Sequence, residues 1–138
     1  MILTTAGSSN VERYMINQTT YSISLLHLFT FYPQPSSLFI SQDKMWTLTI
    51  DTTNSQSILK LNNQTVGSLI NHIILPINYT KMEVDSTYSK IVVWTDSGEL
   101  MLFDANTLNT ISSWTTPVNL SNTTVSIIFN QAGTLLIY

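Results

Sequence analysis

Apolar and polar residues alternate with a period of two along most of this chain, and short polar turns separate the alternating stretches. The clearest case is the stretch from Ile91 to Asp104, where two apolar runs flank Asp96-Ser97-Gly98. In such a turn Gly takes a positive φ without steric cost, and an Asp side chain can accept hydrogen bonds from the backbone amides. We predict a β-hairpin here, followed by a third strand near Thr110 to Trp114.

Period two also predicts which side chains share a face. We expect Ile91, Val93, Leu100 and Leu102 to face the core, and Glu99 and Met101 to point away or toward a neighbouring sheet. No segment sustains a period of 3.6, so the pattern predicts essentially no helix and an all-β fold.

Three segments share one pattern of an apolar strand end, a polar turn and a second apolar strand. The anchors Phe31, Val84 and Phe129 are 53 and 45 residues apart, and we assign the surplus of the first interval to the region between Asn62 and Asn78. A second alignment matches Trp46–Asp51 with Glu99–Asp104, because both are apolar strands that end on Asp. It also matches Ser57–Leu61 with Thr110–Trp114.

These motifs resemble the repeats of WD-repeat and related β-propeller proteins over residues 22–138. Asp96-Ser97-Gly98 and the following Leu100–Asp104 resemble the closing part of a WD repeat, with Phe103 in place of Trp, and Ser126–Leu136 resembles the opening of the next. The Gly-His pair of that family is missing, and Asn71-His72 is the most similar dipeptide. The segment Leu38–Leu61 equally resembles the Tyr-Val-Thr-Asn propellers of surface proteins. The resemblance implies antiparallel propeller-type blades in an incomplete ring, since closed rings need about four to eight blades.

We divide the chain into residues 1–21, an N-terminal leader and first strand, and residues 22–138, a single domain of about two and a half repeats. Residues 1–10 are expected to be a loose or extended leader.

Composition narrows the function classes. Only 9% of the residues are charged, the net charge is −3 and five Lys and Arg occur, so a basic surface for nucleic acid is not expected. Cys is absent, which excludes disulfides and thiolate chemistry. The longest apolar run, Leu25 to Tyr32, is too short to span a bilayer, and no signal peptide is recognisable at Met1.

The sequence predicts neither catalysis nor a cofactor or metal. His27 and His72 lack acidic residues at ligand spacing, and no nucleophile elbow or phosphate-binding loop occurs. Asx turns explain Asp51, Asp96 and Asp104. Five Asn-x-Ser/Thr sequons occur where about three are expected by chance, and they start at Asn17, Asn63, Asn78, Asn119 and Asn122.

Two groups of residues are candidates for partner binding. Tyr32 and Tyr88 are predicted in loops between the first and second strands of their repeats, whereas Trp46, Trp94 and Trp114 are expected in the core. The run Leu135, Leu136, Ile137 and Tyr138 is apolar and uncharged, so as an open strand edge it needs a partner. Another subunit, another chain of a complex and the chain's own N-terminal strand all remain open.

The function predicted from these features is a non-catalytic protein-interaction scaffold whose loops dock partner proteins. The alternative is a surface or filament subunit of β-sandwich type that a neighbouring chain's strand completes. Either function implies other protein chains as partners, in a larger assembly or homo-oligomer, without nucleic acid or membrane insertion. The scaffold would suit the cytoplasm and the filament subunit the cell exterior, so localisation stays open.

Overall fold

A computed structural model describes residues 2–6, 10–30, 35–41, 43–117, 120 and 127–137. The described residues form thirteen strands and no helix, so none of these residues belongs to a helix that could cross a membrane. The strands are β1 (Ile2–Ala6), β2 (Asn10–Asn17), β3 (Ser22–Thr30), β4 (Pro35–Ile40), β5 (Lys44–Asp51), β6 (Gln56–Asn63), β7 (Leu69–Leu75), β8 (Lys81–Val84), β9 (Lys90–Trp94), β10 (Glu99–Asp104), β11 (Thr110–Thr115), β12 (Ile127–Phe129) and β13 (Leu135–Ile137). The prediction of an all-β fold is confirmed.

Every sheet is antiparallel and is built from consecutive strands. In chain order, a three-stranded sheet, β1-β2-β3, is followed by two four-stranded sheets, β4-β5-β6-β7 and β8-β9-β10-β11, and by the hairpin β12-β13. The first strands β4, β8 and β12 contact one another across the sheets, with β8 in the middle. The two four-stranded sheets and the last hairpin are therefore propeller-type blades whose first strands converge, and no closed ring occurs among the described residues.

The strand order corrects both predicted repeat alignments. Strands β3 and β4, which flank residue 31, belong to different sheets, so the true counterpart of Val84 is Ile40 at the end of β4. Ile40, Val84 and Phe129 are 44 and 45 residues apart, so the two repeat intervals are nearly equal and the first contains no extra residues.

The alignment of Trp46–Asp51 with Glu99–Asp104 is also wrong by one strand. The first segment is the second strand of its sheet, β5, and the other is the third strand, β10. An Asx turn can follow any hairpin strand, so its presence does not identify the strand's place in a blade.

Polar side chains at strand ends form most of the turns. Asn17, Asp51, Asn63 and Asp104 each accept hydrogen bonds from the backbone amides two and three residues later. The residue four places after each one has a positive φ. These residues are Tyr21, Ser55, Gly67 and Leu108. The predicted Asx role is thus confirmed for Asp51 and Asp104.

The turn after β8 uses a buried carboxylate. Asp85 Oδ1 accepts from the backbone amides of Ser89 and Lys90 at 2.7 and 2.8 Å, and its Oδ2 accepts from the hydroxyls of Thr87 and Ser89. Burial alone would raise the pKa of this carboxyl, but the hydrogen bonds from Thr87, Lys90 and Ser89 outweigh it and hold the pKa below its usual value.

The Asp96-Ser97-Gly98 turn is confirmed as a hairpin, but Asp96 does not have the predicted role. Gly98 has a φ of 101°, and its N–H donates to the Thr95 carbonyl at 3.3 Å. The Asp96 carboxylate instead lies 3.2 Å from Lys81 Nζ on β8. Its exposed ion pair adds little stability, and the turn is held by the positive φ of Gly98 and by the Thr95 hydroxyl, which accepts from the Glu99 N–H at 3.1 Å.

The central strands β9 and β10 pack on both faces of their sheet, which corrects the predicted side-chain split. Cross-strand pairing puts Ile91 opposite Phe103 and Val93 opposite Met101, and these residues pack toward the sheet β4–β7. Leu100 and Leu102 lie on the other face, in a cluster with Ile127. Ile91 and Val93 therefore do not share a face with Leu100 and Leu102, although Met101 does point toward a neighbouring sheet as expected.

The first cluster joins the two four-stranded sheets. Trp46 is fully buried, and its indole Nε1 donates to the Ala105 carbonyl of the next sheet at 2.8 Å. Leu48, Leu59 and Leu75 pack in the same cluster. Trp46 therefore joins the blades by a directional bond as well as by apolar contact.

The N-terminal segment is more regular than predicted. Ile2–Ala6, within the expected leader, is a strand paired with β2, and β2 pairs with β3. Residues 1–21 thus contain two strands rather than one. The assignment of residues 22–138 to a single domain remains a prediction.

Candidate protein-binding groove

An exposed tryptophan on an outer strand separates two depressions in the surface. Trp114 lies on β11 opposite Leu100 of β10, and 45% of its surface is exposed. The depressions measure about 400 and 390 Å³, and both are lined by Leu100, Trp114 and Thr115. The first depression also contains Met101 and Ser113, which alternate along their strands with Leu100 and Trp114, so the two depressions lie on opposite faces of the sheet at its outer strand β11. We call the two together the Trp114 groove.

The first depression mixes apolar surface with one carboxylate. Pro76, Tyr79, Met101 and Ser113 complete its lining together with Glu99. The Glu99 carboxylate accepts hydrogen bonds from the hydroxyls of Ser97, at 2.5 Å, and Thr95.

Hydrogen bonding and burial fix the charges in this depression. The bonds from Ser97 and Thr95 hold the pKa of Glu99 below its usual value, so Glu99 is ionised at neutral pH. Burial raises the pKa of Tyr79, and the charge of Glu99 raises it further, so its phenol is neutral. The depression therefore offers apolar surface with a single negative charge on its wall.

The second depression lies between the sheet β8–β11 and the last hairpin. Thr116 and Pro117 line it from one side, and Leu135 and Ile137 of β13 line it from the other. Two of the predicted partner-binding residues are thus brought to Trp114. Leu136 is 39% exposed but does not line the depression, and Tyr138 lies outside the described residues.

The predicted tyrosines do not join this groove. Tyr88 lies in the β8–β9 turn at the opposite end of its sheet, where its ring stacks on Trp46 with 6.2 Å between centroids and an interplanar angle of 12°. Phe39 lies 6.2 Å from the same ring. Tyr32 lies outside the described residues, and the strands that flank it belong to different sheets, so it does not follow the first strand of a repeat as predicted.

Sequence reasoning assigned Trp114 to the core. Trp46 and Trp94 are buried as expected, but Trp114 is on an outer strand that, in the described part of the chain, pairs with β10 alone. The neighbouring Ser112-Ser113 is the sequence feature that could have indicated exposure, because a strand buried on both faces rarely carries two consecutive hydroxyl residues.

The titratable groups in the described part of the chain do not assemble into a metal site. No cluster of three or more His, Asp or Glu side chains that could bind a metal ion occurs there. His72 is exposed on β7, and the carboxylates of Asp51, Asp85 and Asp104 accept hydrogen bonds in turns.

Comparison with known proteins gives matches in structure only. No family model and no curated protein sequence matches this chain. The C-terminal WD40 domain of Sif2 is similar in structure at 13% identity and a TM-score of 0.48, over 95% of this chain and 40% of that one. Kluyvelomyces marxianus Hsv2 is similar at 6% identity and a TM-score of 0.47, over 99% of this chain and 56% of that one.

The chain has an all-β, propeller-type fold. The strand order of the sheets and the convergence of their first strands identify this fold. The chain spans about half of the solved structures that it resembles, 40% of one and 56% of the other.

Proposed function

We propose that this chain is a non-catalytic protein-interaction scaffold that binds an extended segment of another protein in the Trp114 groove. The observation that supports this function is the large exposed indole beside a mostly apolar depression and a second one of mixed lining. Exposed aromatic residues beside preformed apolar pockets are typical anchors of protein interfaces. The blades hold the groove in place, because Leu100 in its floor is fully buried between sheets.

The partner is proposed to be an uncharged or weakly basic protein segment. Glu99 is ionised and lines the groove, so an acidic segment or a nucleic-acid backbone would be repelled. The net charge of −3 acts in the same direction.

A photocrosslinking experiment tests the proposed function. A benzophenone amino acid is placed at position 114, and in a control chain at position 111, which is 53% exposed on the same strand. We expect the benzophenone at position 114 to form discrete adducts with the partner protein. Thr115→Arg should abolish these adducts, because Thr115 lines both depressions. Adducts that are the same at both positions, or that persist with Thr115→Arg, would refute the groove as the binding site.

One observation supports the alternative function, a filament subunit completed by a neighbouring chain's strand. Strand β13 pairs only with β12 among the described residues, and Leu136 and Ile137 are 39% and 43% exposed. A neighbour's strand could add to this edge. Fibres seen by electron microscopy that Leu136→Lys prevents would favour this alternative over the scaffold.

A further inference from the structure

The outer strand β11 runs along the Trp114 groove and has an open edge. It pairs with β10 on one side, and no strand of the described part of the chain pairs with it on the other. Its sequence, Thr110 to Thr115, contains no charged residue and no proline, two of the features that block the edges of natural sheets. A further strand added here would lie beside Trp114, between the depressions on the two faces of the sheet.

The part of β11 beside the groove has a regular register. Residues 112–115 pair in order with residues 102–99 of β10. The register shifts beyond Ser112, which makes Ile111 the extra residue of a bulge, and a bulge interrupts regular pairing. Pro117, which has no backbone N–H, follows at the other end. An added strand is thus confined to residues 112–115, the stretch that lines the groove.

Two hydrogen bonds show which backbone groups of this stretch point to the open edge. The Thr116 N–H donates to the Gly98 carbonyl at 2.8 Å, so it points into the sheet. The Glu99 carbonyl accepts a hydrogen bond at 3.0 Å on the β9 side, so it is not bonded to its cross-strand neighbour Thr115. In an antiparallel strand the N–H and C=O of one residue point to the same side, and successive residues alternate. Ser113 and Thr115 therefore direct their N–H and C=O groups to the open edge.

The side chains of an added strand would enter the two depressions alternately, because successive residues of a strand point to opposite faces. A residue opposite Trp114 would point to the face of the second depression, where Leu135 and Ile137 lie. Its two neighbours would point to the other face, where the ionised Glu99 carboxylate lines the first depression. A residue opposite Thr115 is two strand spacings, about 10 Å, from Glu99, and a Lys or Arg side chain spans that distance.

We infer that the partner segment binds as an additional antiparallel strand on β11, with an apolar side chain opposite Trp114 and basic side chains opposite Ser113 and Thr115. This inference rests on the proposed function and adds the mode of binding and the chemistry of the segment. Backbone hydrogen bonds to Ser113 and Thr115 supply affinity, and the two depressions select the alternation of side chains. An acidic side chain opposite Thr115 would meet Glu99 with a like charge.

A short synthetic peptide, Thr-Lys-Leu-Lys-Thr, has the inferred pattern and is the probe. Its binding is measured by NMR titration of the isotopically labelled chain. N-methylation of both lysines removes the N–H groups that would face β11, whereas N-methylation of the leucine, whose N–H would point away, is the matched control. Thr-Gln-Leu-Gln-Thr and Thr-Glu-Leu-Glu-Thr change the charge of the same pattern, and Glu99→Gln removes the charge from the groove.

We expect the probe to shift the amide proton resonances of Ser113 and Thr115 downfield and to slow their exchange with solvent. The N-methylated lysines should weaken binding by at least about tenfold, and the N-methylated leucine by less than about twofold. Glu99→Gln should weaken binding of the lysine peptide by about two- to fivefold and leave binding of the glutamine peptide unchanged. The glutamate peptide should bind most weakly of the three to the unmodified chain.

Absence of binding by the probe would overturn the inference. Equal losses from N-methylation of the lysines and of the leucine, or a glutamate peptide that binds as tightly as the lysine peptide, would also overturn it. In each of these cases adducts from position 114 in the photocrosslinking experiment would still support the groove. Failure of the added strand and failure of the proposed function are therefore distinguishable.

Discussion

Replacing Trp46 by Phe should destabilise the chain by far more than the same change at Trp114. The change removes the indole N–H that donates to the Ala105 carbonyl, and both residues are fully buried. A buried carbonyl left without its donor costs about 1–3 kcal/mol. The smaller phenyl ring leaves a gap between the sheets that costs about 1–2 kcal/mol more. We therefore expect a loss of about 2–5 kcal/mol in the free energy of unfolding.

Urea unfolding followed by far-UV circular dichroism measures this loss. Trp114→Phe is the matched control, because Trp114 is 45% exposed and its replacement should cost less than about 1 kcal/mol. If the two variants lost the same stability within about 0.5 kcal/mol, the contact between the blades would not have the importance that we assign to it.

Three further predictions concern turns, core and pH. Gly98→Val should cost about 1–3 kcal/mol because of the positive φ, and a neutral result in urea unfolding would refute the strained turn. Leu100→Ala should cost about 2–5 kcal/mol and Leu136→Ala much less, and equal losses would refute the assignment of buried and exposed positions. The pKa of Asp85 is lower in the folded chain than its unfolded value of about 3.9, so its stabilisation is present above that value and lost as pH falls through the folded pKa. As the pH is lowered below about 4, the urea concentration at the unfolding midpoint should decrease, and it should decrease less steeply with pH for Asp85→Asn. Equal dependence of the midpoint on pH in both chains would contradict this role of Asp85.

Local patterns in the sequence predicted the local structure well. The period of two identified the strands around Ile91 and Leu100, and the Gly98 turn followed from the conformational freedom of glycine. These features depend on residues close together in the chain, so they can be read without knowledge of the neighbouring sheets.

Features that depend on the place of a strand in its sheet could not be predicted in this way. Asx turns follow both β5 and β10, so an apolar strand that ends on Asp was assigned to the wrong place in the blade. The same limit explains Trp114, because an outer strand and a central strand can share one apolar pattern.

The packing of one blade on the next is the central structural claim, and a nuclear Overhauser spectrum of the isotopically labelled chain tests it most directly. We predict cross-peaks from the Trp46 indole N–H to the methyl group of Ala105 and from the Trp46 ring to that of Tyr88, since these contacts join the two four-stranded sheets. An indole whose cross-peaks reach only residues of β4 to β7 would contradict the packing.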